Sequence, residues 1–281
     1  MDWLDALILG IIQGLSEYLP ISSSGHLEIF KQVLHLDLDP DASLEFSVML
    51  HVATVLSTIV VLWREFAPLC MSFFTFKRDD KFYYVCKILL SCIPVAIVGL
   101  FFKDAIASLF EGDLKVVGAC LLVTAALLSF AYFFRTKPLE TNKLTGKVYK
   151  PRDITWLDAF IIGCAQAVAV LPGLSRSGTT IATGILLGDK REEVARFSFF
   201  MVIIPILGEG LLDVKKMLSP AADAIQAGAG EVSLTAILIG FVAAFLVGCM
   251  ACKWMLDIVK KGKLVWFAVY CVIAGVLCLV F

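Results

Sequence analysis

Residues 13–27 read Gln13-Gly14-Leu15-Ser16-Glu17-Tyr18-Leu19-Pro20-Ile21-Ser22-Ser23-Ser24-Gly25-His26-Leu27. Gln13 and Glu17 are four apart and fall on one helix face. Pro20 has no backbone donor, and the serines after it favour an N-cap, so one helix ends here and another begins. The new helix start turns free N–H groups and a positive dipole end into the gap, which makes an anion site. Ser23 and His26, three apart, share a face of that second helix. The surrounding stretch, Asp2–Leu36, is apolar. Its second arm is about a dozen residues long, short of the roughly 17–25 a bilayer crossing needs. It therefore reads as a re-entrant helix pair, a form tolerated where protein or a water-filled cavity shields the broken backbone.

The same pattern recurs. A shift of 153 aligns Trp3-Leu4-Asp5-Ala6 with Trp156-Leu157-Asp158-Ala159, and pairs Gly10 with Gly163 and Gln13 with Gln166. It also pairs Ser22, Ser24 and Gly25 with Ser175, Ser177 and Gly178. Residues 2–26 give 10 identities in 25 positions, where composition alone gives roughly two. The second break, within Ile154–Gly188, reads Pro172-Gly173-Leu174-Ser175-Arg176-Ser177-Gly178 and carries Arg176 where the first has Ser23.

The rest of the chain is membrane-like. Of 281 residues 59% are hydrophobic and 17% charged, with a mean hydropathy of +0.89, against about a quarter charged in soluble domains. An ordinary soluble enzyme, a disordered chain and a disulfide scaffold are excluded, and a net charge of −1 with a pI near 6.3 gives nucleic acid no footprint. The nine cysteines are odd in number and lie mostly in apolar runs; Cys249 and Cys252 read as small hydrophobes. Asp2 and Asp5 stand where a signal peptide would need basic residues.

Six spans are expected: Leu44–Trp63, Tyr83–Phe102, Val116–Phe134, Phe197–Leu212, Val232–Cys252 and Leu264–Phe281. If each broken pair returns to its starting side, one face collects 15 loop Lys and Arg and the other four, Lys103, Lys115, Lys215 and Lys216. The richer side is then cytoplasmic and both termini lie outside. The expected fold is an all-α polytopic membrane protein, residues 1–281 forming one domain. Half 1 covers 1–135, a cytoplasmic linker 136–153 and half 2 154–281. Three spans per half is an odd number, so the repeats are inverted, and such repeats place a site near the midplane where their broken helices face each other.

Charged residues at membrane depth imply function by default. Two anion-binding helix starts, a carboxylate, an imidazole and a guanidinium suited to phosphate suggest phosphate chemistry. The candidates are Glu17, Ser23, His26 and Arg176 for catalysis. Gln13, Ser22, Ser24, Gly25, Gln166, Gly173, Ser175, Ser177 and Gly178 are the candidates for holding substrate. A structural reading stands beside this: Glu17 and Arg176 suit a buried ion pair joining the repeats, and His26 suits a hydrogen-bonded core histidine. His51 and Glu45, on an apolar span, fit a structural or gating role as well as a chemical one.

The 13–27 stretch resembles the first signature of the undecaprenyl-diphosphate phosphatase family, the bacitracin-resistance proteins. Leu171–Gly178 resembles the second, and Arg196-Phe197-Ser198-Phe199 followed by Ile204-Pro205 fits the same pattern. The resemblance implies a bacterial inner-membrane enzyme that hydrolyses undecaprenyl diphosphate to the monophosphate and inorganic phosphate, its site open to the outer face. It places the family's glutamate on Glu17, its serines on Ser22 and Ser23, its histidine on His26 and its arginine on Arg176. Family activity is associated with Mg²⁺ or Ca²⁺. Where many members have a second glutamate this chain has Gln13, so a divalent ion carried on the diphosphate is expected rather than a protein-held one, and no organic cofactor. Partners are a polyprenyl diphosphate lipid and the bilayer, with a homodimer left open. Ser23 is the candidate nucleophile with His26 as base and Glu17 orienting or protonating; His26 as nucleophile with Glu17 as acid is the rival. The alternative from another class is a transporter or flippase for an anionic or polyprenyl-phosphate substrate. Type-2 phosphatidic acid phosphatases need a histidine six residues after the arginine, and Ala182 stands there.

Overall fold

Repeat-matched residues start matched helices. Asp2 accepts from the backbone of Leu4 and Asp5 while Asp5 reaches back to the Asp2 backbone. Thr155 and Asp158 form the same reciprocal cap 153 residues later. They open α1 (Trp3–Ser16) and, after the intervening elements, α7 (Trp156–Val168). Ser22 caps the Gly25 N–H at 3.3 Å and opens α2 (Ser23–Val33); Ser175 caps Gly178 at 3.0 Å and opens α8 (Arg176–Leu187). The computed structural model describes residues 1–36, 38–102, 114–135, 151–217 and 232–280. Most of the expected linker, 136–150, lies outside the described residues, as do Lys103 and the linker lysines used for orientation.

The other helices are α3 (Pro40–Val61), α4 (Trp63–Phe74), α5 (Asp80–Phe101), α6 (Leu114–Arg135), α9 (Arg191–Met201), α10 (Ile203–Met217), α11 (Leu234–Lys260) and α12 (Val265–Val280). No strand occurs among the described residues. Four helical stretches are long and apolar enough to cross a membrane: Ala42–Val61, Asp80–Phe101, Leu114–Phe134 and Leu234–Lys260. The protein is thus all-helical and multi-pass. The six-span expectation holds by length for these four. Phe197–Leu212, expected as one span, is divided at Val202 into α9 and α10. Pro205 has no N–H for the Met201 carbonyl, and the Cys92 thiol lies 3.4 Å from that oxygen instead. The expected span Leu264–Phe281 appears as α12, 16 residues long.

The halves interlock. Helix α1 packs on α11 of the second half, α7 packs on α5 of the first, and α6 packs on α12. The matched glycines make this possible. A Cβ on Gly10 would overlap the Gly240 carbonyl oxygen, and one on Gly163 would overlap that of Ser91. Small residues let helix backbones approach where lipid supplies no hydrophobic drive between helices.

At the foot of α7 the entering chain is strapped to the α8–α9 turn. The Arg152 N–H donates to the Gly188 carbonyl at 3.2 Å, and Lys190 donates back to Arg152 at 3.0 Å. The Arg152 guanidinium forks onto Asp158 with both contacts at 2.8 Å. Its Nε is 4.0 Å from Asp189, whose side chain is fully buried and accepts no hydrogen bond from any described residue. Burial first and the neighbouring Asp158 charge second push the Asp189 carboxyl up to about 7, with Arg152 opposing and Glu193 adding to the rise. An acid raised on folding binds a proton more tightly in the native state. Its contribution to stability is full at low pH and is lost as pH rises from the ordinary carboxylate range through about 7. Asp189→Asn removes this loss. Thermal melts should show the variant more stable than the parent at pH 8, the gap closing toward pH 4; a gap independent of pH would contradict the burial of an ionising Asp189.

Candidate active site

The first break ends α1 at Glu17, whose N–H still donates to the Gln13 carbonyl at 3.0 Å. Their side chains meet as the spacing requires, Gln13 Nε2 donating to Glu17 Oε2 at 2.9 Å. The chain then turns through Pro20 to Ser22, a non-glycine residue at φ 72°. Such a conformation is held only where its surroundings over-determine it. Here the Ser22 carbonyl accepts both the His26 N–H, at 3.1 Å, and His26 Nδ1, at 2.8 Å, and the Ser22 hydroxyl caps Gly25.

Both tips converge on Glu17. Ser23, first residue of α2, donates its hydroxyl to Glu17 Oε2 at 2.8 Å. Arg176, first residue of α8, bonds Glu17 Oε1 at 3.1 Å. These two are repeat equivalents, so one carboxylate receives the same helix position from both halves. The tips also touch directly. The Ser177 hydroxyl donates to the Leu19 carbonyl at 3.2 Å, and the Ser175 N–H donates to Thr124 Oγ1 of α6 at 3.0 Å. A Cβ on Gly25 would sit 3.0 Å from Gly173, and one on Gly178 3.2 Å from Pro20. Residues 20 and 173 are themselves repeat partners, so the contact is reciprocal. Gly173 has φ 86°, and a side chain there would also strike the Val117 carbonyl.

Not every candidate joins this cluster. Neither ring nitrogen of His26 is bonded to Ser23: Nδ1 is on the Ser22 carbonyl, and Nε2 lies 2.6 Å from the Tyr270 hydroxyl of α12. The expected pairing of His26 with Ser23 is therefore absent, and the hydroxyl of Ser23 is given to Glu17. Gln166 is buried with both amide atoms unpartnered among the described residues; the position four residues on, where Gln13 finds Glu17, is Val170. Ser24 lies 3.4 Å from the Ser22 hydroxyl, and Ser175 the same from Ser177. His51 does join: Nδ1 is 2.7 Å from the Ser47 carbonyl and Nε2 is 3.5 Å from Glu17 Oε2. Tyr270 carries no sequence signal beyond being polar in an apolar helix, and Ser198 stands only within the Arg196–Phe199 pattern. Ser198, its hydroxyl unpartnered among the described residues, lines a small cavity with Glu17, Thr54, Thr58, Arg176 and Ser177. That cavity is about 20 Å³ measured to water centres, room for about one water.

The donor set does not fit a protein-held divalent ion. Glu17 is the single carboxylate of the cluster, its oxygens already take Arg176, Ser23 and Gln13, and no group of three His, Cys, Asp or Glu suited to a metal occurs among the described residues. Hard cations of this kind want several oxygen ligands. What the arrangement can do is present a hydroxyl whose proton already faces a carboxylate, beside a guanidinium and two helix starts.

Because the carboxylate is buried, removing its cation leaves an uncompensated charge. Arg176→Met is expected to lower stability by about 3 kcal/mol, and adding Glu17→Gln to restore most of it. Unfolding in detergent measures this; a double variant no more stable than Arg176→Met would refute the pairing.

Residues 6–277 match the family model described as bacitracin resistance protein BacA. The chain is 52% identical over 275 residues to an undecaprenyl-diphosphatase of Bacteroides thetaiotaomicron, covering 98% of this chain and 97% of that protein. It is 51% identical over 280 residues to one of Bacteroides fragilis, covering 100% and 98%, and 36% identical over 280 residues to one of Halothermothrix orenii. With the two signature breaks meeting at Glu17 and the family model spanning nearly the whole length, the chain belongs to the bacitracin resistance protein BacA family.

Proposed function

We propose that this protein hydrolyses undecaprenyl diphosphate to undecaprenyl phosphate and inorganic phosphate, returning the lipid carrier to cell-wall synthesis. The observation that carries the reading is the convergence of Ser23 and Arg176 on the buried Glu17. It is supported by the names of relatives at 51–52% identity over the full chain.

Phosphoryl transfer needs positioning and charge stabilisation more than covalent chemistry. The Ser23 hydroxyl attacks the outer phosphorus, and its proton passes along the existing hydrogen bond to Glu17. Arg176, the N–H groups at the starts of α2 and α8, and the hydroxyls of Ser175 and Ser177 take the charge that builds on the phosphoryl oxygens. The bridging P–O bond breaks and undecaprenyl phosphate leaves. Water then attacks the phosphorus on Ser23, giving its proton to His26 Nε2, while Glu17 returns its proton to the Ser23 oxygen as inorganic phosphate departs. In this reading Glu17 takes the place of His26 as the base for Ser23, supported by the Ser23–Glu17 hydrogen bond, and His26 serves the water. A divalent ion that arrives on the diphosphate belongs to the substrate in this scheme.

The finer architecture belongs to the same reading: six spans and two re-entrant pairs in inverted repeats, with termini and site opening at the outer face of the bacterial inner membrane. The exchange of α1 onto α11 and α7 onto α5, together with the loop charge asymmetry, supports it.

Phosphate release from a polyprenyl diphosphate by detergent-solubilised protein is the test. Glu17→Ala and Arg176→Ala should each lower kcat by about 10²–10³. No release by the parent protein, with movement of the lipid across vesicles, would replace the phosphatase by a carrier.

A further inference from the structure

His26 has both ring nitrogens engaged, and the partners differ in kind. Nδ1 lies 2.8 Å from the Ser22 carbonyl, which only accepts, so Nδ1 carries a hydrogen. In the neutral ring Nε2 then bears the lone pair, and the Tyr270 hydroxyl at 2.6 Å donates to it. The two rings are stacked, centroids 5.6 Å apart and planes 19° from parallel. Tyr270 comes from α12, 244 positions away in the chain. The next residue, Cys271, places its thiol 3.6 Å from the Pro20 carbonyl, so consecutive residues of α12 hold the first break.

Helix α6 supports the second break in the corresponding way, through Thr124 to the Ser175 N–H and Val117 beneath Gly173. There the repeat equivalent of His26 is Thr179, whose buried hydroxyl has no partner among the described residues. The Tyr270–His26 bond is therefore an addition to the first half rather than a product of the duplication. Packing alone would be served by phenylalanine, since the stacking uses the ring and leaves the hydroxyl over.

We propose that Tyr270 is a positioning residue for the phosphatase reaction: its hydroxyl holds the His26 imidazole in the Nδ1–H tautomer with Nε2 as the acceptor that takes the water's proton. This rests on the reading in which His26 serves the second step. In the resting protein the phenol occupies Nε2, and as the water comes in to the phosphorylated Ser23 the hydroxyl yields that lone pair to it. The ring meanwhile stays fixed by Ser22 and by the stack. A base worth about 10²–10⁴ in rate loses part of that advantage when its ring is free to turn.

Tyr270→Phe keeps the ring and removes the hydroxyl. Phosphate release from a polyprenyl diphosphate should show kcat lowered about tenfold with KM within about twofold and the thermal melt unchanged. In a double-mutant cycle, Tyr270→Phe should cost nothing further in the His26→Ala background. Parental kcat in Tyr270→Phe, with His26→Ala impaired, overturns the positioning role while leaving His26 in the mechanism. A further loss in the double variant overturns it too, because Tyr270 would then act apart from His26. Full activity in His26→Ala instead removes the second-step reading on which the role rests.

Discussion

A carboxylate largely withdrawn from water must be partnered, because an isolated charge there is far costlier than any packing it permits. Glu17 meets that constraint with donors from three places, Gln13 on its own helix, Ser23 on the next and Arg176 from the other half, and His51 of α3 lies 3.5 Å away. None of these suffices alone. The first break is completed only when the second reaches it, and the rest of the fold serves that meeting.

The reach is set by helix crossings that leave no room for side chains. Gly10 against Gly240 and Gly163 against Ser91 bring α1 and α7 onto the helices of the opposite half. Gly25 against Gly173 and Gly178 against Pro20 then bring the two breaks together. From that reciprocal frame the chemistry departs in one respect. The equivalent position is Ser23 in one half and Arg176 in the other, so a symmetric scaffold presents a hydroxyl and a cation to the same carboxylate. A duplication that kept serine at both positions would have left Glu17 without a counter-charge.

Much of this is legible in the chain because it is local. The four-residue spacing of Gln13 and Glu17, the Ser22 and Ser175 caps, the breaks and the 153-residue repeat all follow from neighbours in sequence. The partners of the histidines do not. His26 at three residues from Ser23 reads as its base, yet the Ser22 carbonyl and a tyrosine from the last helix take its two ring nitrogens. Tyr270 looks like one more aromatic in an apolar span, and no periodicity marks it. His51 falls beside Glu17 only through the packing of α3 against the first break. Pro205 breaks the helix locally, whereas the apolar run around it reads as one span over Phe197–Leu212.

The central claim is that Ser23, with its proton already directed at Glu17, is the atom that takes the phosphoryl group. Rapid quenching of the enzyme turning over a polyprenyl diphosphate, followed by peptide mapping under conditions that preserve both phosphoserine and phosphohistidine, reads this directly. The expected result is phosphate on Ser23. Phosphate on His26, or turnover with no phosphorylated residue at all, would contradict it.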